Sequence, residues 1–98
     1  MVGLTRSLAT ELGSHGITVN AVCPNHVTTG LGARQNEYYA KLRGQTPGQF
    51  MEVMYQRIPL GRPGLVEDTA AAVAFLASLD AQYITGEAMN VSGGEETH

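Results

Sequence analysis

Side chains able to do chemistry gather in one stretch, ITVNAVCPNHVTT (Ile17 to Thr29), where Cys23, His26, Thr28 and Thr29 follow one another closely. An imidazole titrates near neutral pH and can serve as a general acid or base. A thiolate is a nucleophile, and a hydroxyl both donates and accepts hydrogen bonds. Taken residue by residue, each has a simpler reading. No carboxylate stands at a spacing that would orient His26, which reads as an exposed loop histidine. Cys23 alternates with apolar residues and reads as a small buried hydrophobe. Thr28 and Thr29 by themselves would cap the segment that follows. The other histidines, His15 between glycines and the terminal His98, are scattered, and there is a single cysteine, so neither a metal site nor an internal disulfide is expected. Further along, Arg34, Lys41 and Arg43 have the charge to receive a phosphate or carboxylate. Glu37 lies among them, and a solvated helix face is the simpler account.

The elements that must position these groups follow from periodicity. Ile17, Val19, Ala21 and Cys23 fall on one face at period two, and Val22 gives the other face apolar weight, which predicts a buried strand over 17–23. Pro24 has no N–H to give a ladder and should end it, and Asn25 accepts a left-handed backbone, so the chain should turn there. The carboxyl end of a strand is where an open α/β sheet binds ligands. Asn20 is polar inside this strand and needs partners, a structural role. Upstream, Leu4, Leu8 and Leu12 at a spacing of four, with Ala9 beside them, predict a helix over 1–12, with Gly13 and Gly16 as its stop. Met1, Val2 and Gly3 offer no cap, as if a helix were entered partway along.

Downstream, residues 30–57 are polar and punctuated by Gly30, Gly32, Gly44, Pro47 and Gly48, with two short helical stretches, Gln35 to Leu42 and Gln49 to Arg57. Connections longer than about 12–15 residues usually have a function, often as lids. Tyr38, Tyr39, Phe50, Met51 and Met54 give this segment an apolar side. Docking on the core is its simplest use, although methionines also repack around differing ligands. Pro63 and Gly64 precede a helix expected over 66–79, with Glu67 and Asp68 at the end where the dipole favours negative charge. Its interior AAAVAFLA is apolar nearly all round and needs cover from a sheet and from a second subunit or layer. Ala88 to Val91 reads as a short strand ending at Gly93 and Gly94, and strand, helix, strand implies a parallel pair.

Composition sets the outer limits. Ninety-eight residues, 43% apolar and 15% charged, suit one globular α/β domain over 1–98. A net charge of -3, with six basic residues dispersed among nine acidic ones, argues against a nucleic-acid partner. The longest apolar run, Ala70 to Ala77, is far shorter than the ~20 residues of a spanning helix. A myristoylation glycine is missing at Val2, so the expected location is cytoplasmic with no membrane partner.

With its flanks, the opening stretch LTRSLATELGSHGITVNAVCPNHVTT resembles the second half of the short-chain dehydrogenase/reductase family, which carries a helix, an "I-x-V-N" strand and a "P-G-x-V-x-T" turn in this order. The likeness continues through PLGRPG (Pro59 to Gly64), EDTAAAVAFLAS (Glu67 to Ser78) and YITGEAMNVSGG (Tyr83 to Gly94), leaving out roughly residues 30–57. It implies the C-terminal part of a Rossmann-like doubly wound parallel sheet. The implied activity is an NAD- or NADP-dependent interconversion of a secondary alcohol and a ketone, by a polyol or sugar dehydrogenase or a 3-oxoacyl carrier-protein reductase. A nicotinamide carboxamide must be held if one ring face is to be offered for hydride transfer. The resemblance assigns Pro24 to the turn, Val27 to the backbone contact and Thr29 to the hydroxyl contact. Asn25 stands where the family usually has glycine. The family's catalytic "Y-x-x-x-K" has no counterpart, since none of the four tyrosines is followed four residues later by lysine. GLGAR (Gly30 to Arg34) follows a turn rather than a strand and makes no pyrophosphate cradle. The chain by itself is therefore expected to be inactive. Its part would be the nicotinamide-side wall, a substrate lid over about 30–57, and subunit contacts in a homo-oligomer acting on a small alcohol or ketone. The rival readings are a non-catalytic assembly module, joining a full-length relative through the apolar helix and last strand, and a small α/β binding module.

Overall fold

The computed structural model describes residues 1–25 and 30–95. Helix α1 (Val2–Leu12) opens at Met1 with no side-chain cap and tightens into a 3-10 turn at Gly13–His15. Gly16 then takes the left-handed conformation, φ 72°, that a residue with a Cβ resists. Strand β1 (Ala21–Pro24), helices α2 (Gly30–Leu42), α3 (Pro47–Gln56) and α4 (Val66–Leu76), a 3-10 turn at Leu79–Ala81 and strand β2 (Ala88–Val91) follow. The strands pair in parallel, with Ala21 opposite Ala88 and Pro24 opposite Val91, and α4 packs on both. The expected α/β arrangement with a parallel pair is thus present.

Several boundaries differ from the periodicity. The ladder begins at Ala21 rather than Ile17, because β2 starts opposite Ala21; Ile17 is 47% exposed. Residues 19 and 20 are held by other means. The Val19 N–H donates to Thr85 Oγ1 at 3.0 Å, and the Val19 carbonyl accepts from the Gly86 N–H at 2.8 Å. Asn20 Nδ2 donates to the Ile84 carbonyl at 3.1 Å while its Oδ1 accepts from the Glu87 N–H at 3.1 Å. Those are the partners a polar residue at this position needs. Pro24 closes the ladder instead of lying beyond it, as a proline can at a strand end, and the Asn25 N–H makes the next bond to the Val91 carbonyl at 3.3 Å.

In α1 the inward residues are Thr5 and Ala9, not the leucines; Leu4 is exposed and Leu8 and Leu12 are half-buried. α2 starts at Gly30, so its glycines occupy a first turn, where the N–H groups lack intrahelical partners and a glycine costs least. α3 begins one turn earlier than its apolar residues indicate, on a capping box: Thr46 Oγ1 accepts from the Gln49 N–H at 3.2 Å and Gln49 Oε1 from the Thr46 N–H at 3.0 Å. Pro47 stands in that first turn, where its missing N–H costs nothing. α4 stops at Leu76, and Ser78 Oγ donates to the Phe75 carbonyl at 2.6 Å just past its end.

The radius of gyration, 16.8 Å, exceeds the ~13 Å of a compact domain of this length, and the extents of 55 × 24 × 23 Å show why. α2 and α3 pack chiefly on each other, as a hairpin extended from a body made of α1, β1, α4 and β2. Among the described residues the hairpin and its exit bury Ala40, Phe50 and Ile58, whereas the body buries only small residues such as Ala9, Ala21 and Ala81.

Candidate functional site

The carboxyl ends of β1 and β2 lie side by side because the strands are parallel and in register. Pro24 and Asn25 stand at this end, and Asn25 Nδ2 donates to Glu95 Oε2 at 3.3 Å, fastening the exit of one strand to the segment after the other. Of the expected nicotinamide contacts, Val27 and Thr29 lie outside the described residues, as do His26 and Thr28.

The segment leaving the hairpin returns to the same place. Gly93 and Gly94 both have positive φ, 63° and 95°, and let the backbone pass close to it. A Cβ on Gly93 would lie 2.7 Å from Ile58 Cγ2, and one on Gly94 would lie 2.9 Å from Pro59 Cγ. The Leu60 N–H donates to the Gly93 carbonyl at 3.0 Å. The turn after β2 therefore accepts the segment returning from the hairpin, and the glycine pair permits that close approach.

Between α2 and α3 runs a groove of about 310 Å³ lined by residues that include Asn36, Tyr39, Arg43, Phe50, Met54 and Arg57, with Glu95 closing it on the body side. The Tyr39 and Phe50 rings lie 6.4 Å apart, tilted at 32°, Tyr38 meets Tyr39 edge-on at 5.7 Å, and the Arg43 guanidinium lies 5.2 Å from the centre of the Phe50 ring. Asn36 Nδ2 reaches Met51 Sδ at 3.0 Å. Of the three cations singled out in the sequence, only Arg43 lines this groove. Arg57 does so too. In the sequence it stood only as the last residue of the helical stretch Gln49 to Arg57, and in the structure it is the C-cap of α3.

A second charged feature lies at the start of α4. Arg62 Nη1 and Asp68 Oδ2 pair at 2.8 Å, with side chains 52% and 34% exposed, and Asp68 Oδ2 also accepts from the Leu65 N–H at 2.8 Å. These hydrogen bonds, from Arg62 first and the Leu65 N–H second, hold the Asp68 carboxyl below the usual range. The same contact raises the Arg62 guanidinium. The carboxylate does the work of a missing cap and lies away from the groove. Among the described residues no cluster of three or more His, Cys, Asp or Glu is placed to hold a metal, and no helix is long and apolar enough to cross a membrane.

Three comparisons bear on this arrangement. The family profile described as Enoyl-(Acyl carrier protein) reductase matches residues 1–96. The 3-oxoacyl-(acyl-carrier-protein) reductase FabG of Rickettsia prowazekii (strain Madrid E) is 45% identical over 94 residues, which are 96% of this chain and 34% of that protein. The chain thus spans about a third of the length of this curated relative. Among solved structures, a short chain dehydrogenase family protein from Francisella tularensis superposes with a TM-score of 0.89 at 31% identity, covering 96% of this chain and 39% of the other. An actinorhodin polyketide ketoreductase with NADPH gives 0.89 at 36% identity, covering 99% and 37%. A parallel β1–β2 pair packed by α4, a helical hairpin leaving the strand end, and these likenesses along nearly the whole chain lead to one conclusion: the chain belongs to the short-chain dehydrogenase/reductase family.

Proposed function

We propose that the chain supplies the nicotinamide-side wall and the substrate lid of a cytoplasmic NAD(P)-dependent oxidoreductase that interconverts a secondary alcohol and a ketone. The observation that supports this most is the meeting of the β1 exit and the returning lid at one end of a parallel pair, fastened by Asn25–Glu95 and by Leu60–Gly93. The reductase names of the relatives agree with it. A bound NAD(P) supplies or accepts the hydride. In this reading the Val27 N–H and the Thr29 hydroxyl hold its carboxamide, Pro24 and Asn25 fix the turn that carries them, and the hairpin covers the substrate and excludes water. The donor set fits in kind, since a carboxamide needs both a donor for its oxygen and an acceptor for its N–H. With no tyrosine–lysine pair at the family's spacing, the chain by itself should turn over NADH or NADPH at no more than background.

The test uses the chain joined to an upstream segment that carries the glycine-rich turn and the tyrosine–lysine pair. Thr29→Val keeps shape and removes the hydroxyl. A neutral hydrogen bond contributes about 0.5–1.5 kcal/mol, so cofactor affinity or turnover should fall roughly 3- to 10-fold. Thr28→Val should change neither. Unchanged binding and turnover in both variants would return the two threonines to a capping role.

One observation favours a second reading, an assembly module or subunit contact in a homo-oligomer. No residue of α4 is buried, and Val73 and Phe75 are 51% and 42% exposed. Co-sedimentation with a full-length relative, abolished by Val73→Asp, would support it.

A further inference from the structure

The charge in the hairpin groove exceeds what a lid over a neutral alcohol or ketone requires. Arg43 and Arg57 both line it, and neither is in an ion pair among the described residues. Elsewhere the chain neutralises an arginine, giving Arg62 the carboxylate of Asp68 at 2.8 Å. The Arg43 guanidinium carbon also lies over an aromatic ring, 5.2 Å from the Phe50 centroid. That contact holds the guanidinium at the groove without itself consuming an N–H donor. Among the described lining residues Glu95 supplies the one carboxylate, and it accepts from Asn25 Nδ2. Two guanidiniums against that carboxylate leave the groove cationic, over a floor made by Tyr39, Phe50 and Met54.

The geometry points to an anion-recognising subsite for an amphipathic ligand, with a carboxylate or phosphate held by Arg43 and Arg57 and its apolar part lying on Tyr39, Phe50 and Met54. A volume of about 310 Å³ is at the small end for ligand pockets and admits roughly ten water-sized groups, a head group with a short chain. The subsite rests on the reading of residues 30–57 as the substrate-facing segment, and it adds to that reading a class of substrate, one that carries an acid beside its alcohol or ketone.

The experiment titrates the full chain with octanoate, octyl phosphate and neutral octanol, following the Arg43 and Arg57 side-chain and Tyr39 and Phe50 ring resonances by NMR at low and high salt. Both anions should saturate at those resonances, octanol should bind at least about tenfold more weakly, and salt should weaken the anions alone. The Arg43→Gln/Arg57→Gln double variant should lose about tenfold in anion affinity, down to the octanol level, while the double Lys variant should stay within about threefold. Tighter octanoate assigns a carboxylate, tighter octyl phosphate a phosphate, and equal affinities a general anion site. Octanol binding as tightly as octanoate, absence of anion binding, or undiminished binding to a folded Gln variant would overturn the subsite. Should the Gln variant unfold, the octanol comparison on the unchanged chain decides. No cofactor enters the assay, so its failure leaves the Thr29 proposal standing, and failure at Thr29 leaves this result untouched.

Discussion

The two phenylalanines mark two kinds of packing in one chain. Phe50, in the hairpin, is 5% exposed and is met by Tyr39 and Arg43 from the facing helix. Phe75, on α4 in the body, is 42% exposed. The hairpin buries Ala40 and Phe50, and a reciprocal cap starts its second helix. The body does not close. Its sheet has two strands, and a pair alone is marginal in water. A second groove, of about 340 Å³, runs between the start of β1 and α4, lined by Thr18, Asn20, Val22, Val73, Leu76 and Ala77. On α4, Thr69 Oγ1 is buried without a hydrogen-bond partner, the kind of group that costs roughly 1–3 kcal/mol. Both regions leave apolar side chains exposed, Val73 and Phe75 on α4 and Tyr38, Leu42 and Val53 on the hairpin, but among the described residues only the hairpin buries an aromatic.

The largest expected effect sharpens this contrast directly. Phe50→Ala should cost about 3–5 kcal/mol, as a deleted core aromatic does, and Phe75→Ala should stay within about 0.5 kcal/mol, as at an ordinary surface position. Denaturant unfolding followed by far-UV circular dichroism measures both, and equal losses would erase the distinction between the regions. Next comes the joint. Gly93→Ala places a Cβ at positive φ, worth about 1–2 kcal/mol by itself, and drives it to within 2.7 Å of Ile58 Cγ2. It should loosen the hairpin's exit from the strand ends, seen as lost contacts at Ile58 and Leu60 while α2 and α3 stay helical. Wild-type stability in this variant would mean that the close approach is not needed.

The smallest effect belongs to the exposed pair at the start of α4. Asp68 titrates below its unfolded value of about 3.9, so its contribution is present above that pH and is lost as pH falls through the lower folded value. Thermal stability from pH 5 down to 2 should fall less steeply in Asp68→Asn than in the unchanged chain. Identical slopes would show that the carboxylate is not coupled to folding.

What could be read beforehand follows the same division. β2 was legible to the residue, Ala88 to Val91, because alternation and a glycine stop coincide there. β1 was placed correctly but drawn too long, since period two persists back to Ile17 while the ladder depends on where its partner starts. In α1 the helix and Ala9 were legible, but the buried centre of its face, Thr5 with Ala9, was not: periodicity says which residues share a face, not which part of it the rest of the fold covers. The Thr46–Gln49 cap was written plainly as T-x-x-Q and passed over beside the Gly44, Pro47 and Gly48 breakers. Arg57 joining Arg43 was not legible, because pairing across a hairpin depends on how two helices cross. At the strand end, Pro24 and Asn25 stand where the turn was expected, and Asn25 gained in Glu95 a partner 70 positions away that no local pattern announces.

The claim that the hairpin is the better-packed region and the body the looser one is tested most directly by amide hydrogen exchange on the 98-residue chain at native pH. Amides of α3 around Phe50 to Met54 should exchange more slowly than those of β1 and α4, and the sample should tend to associate through the uncovered body. A clean monomer with uniform protection across both regions and a single cooperative thermal transition would contradict it.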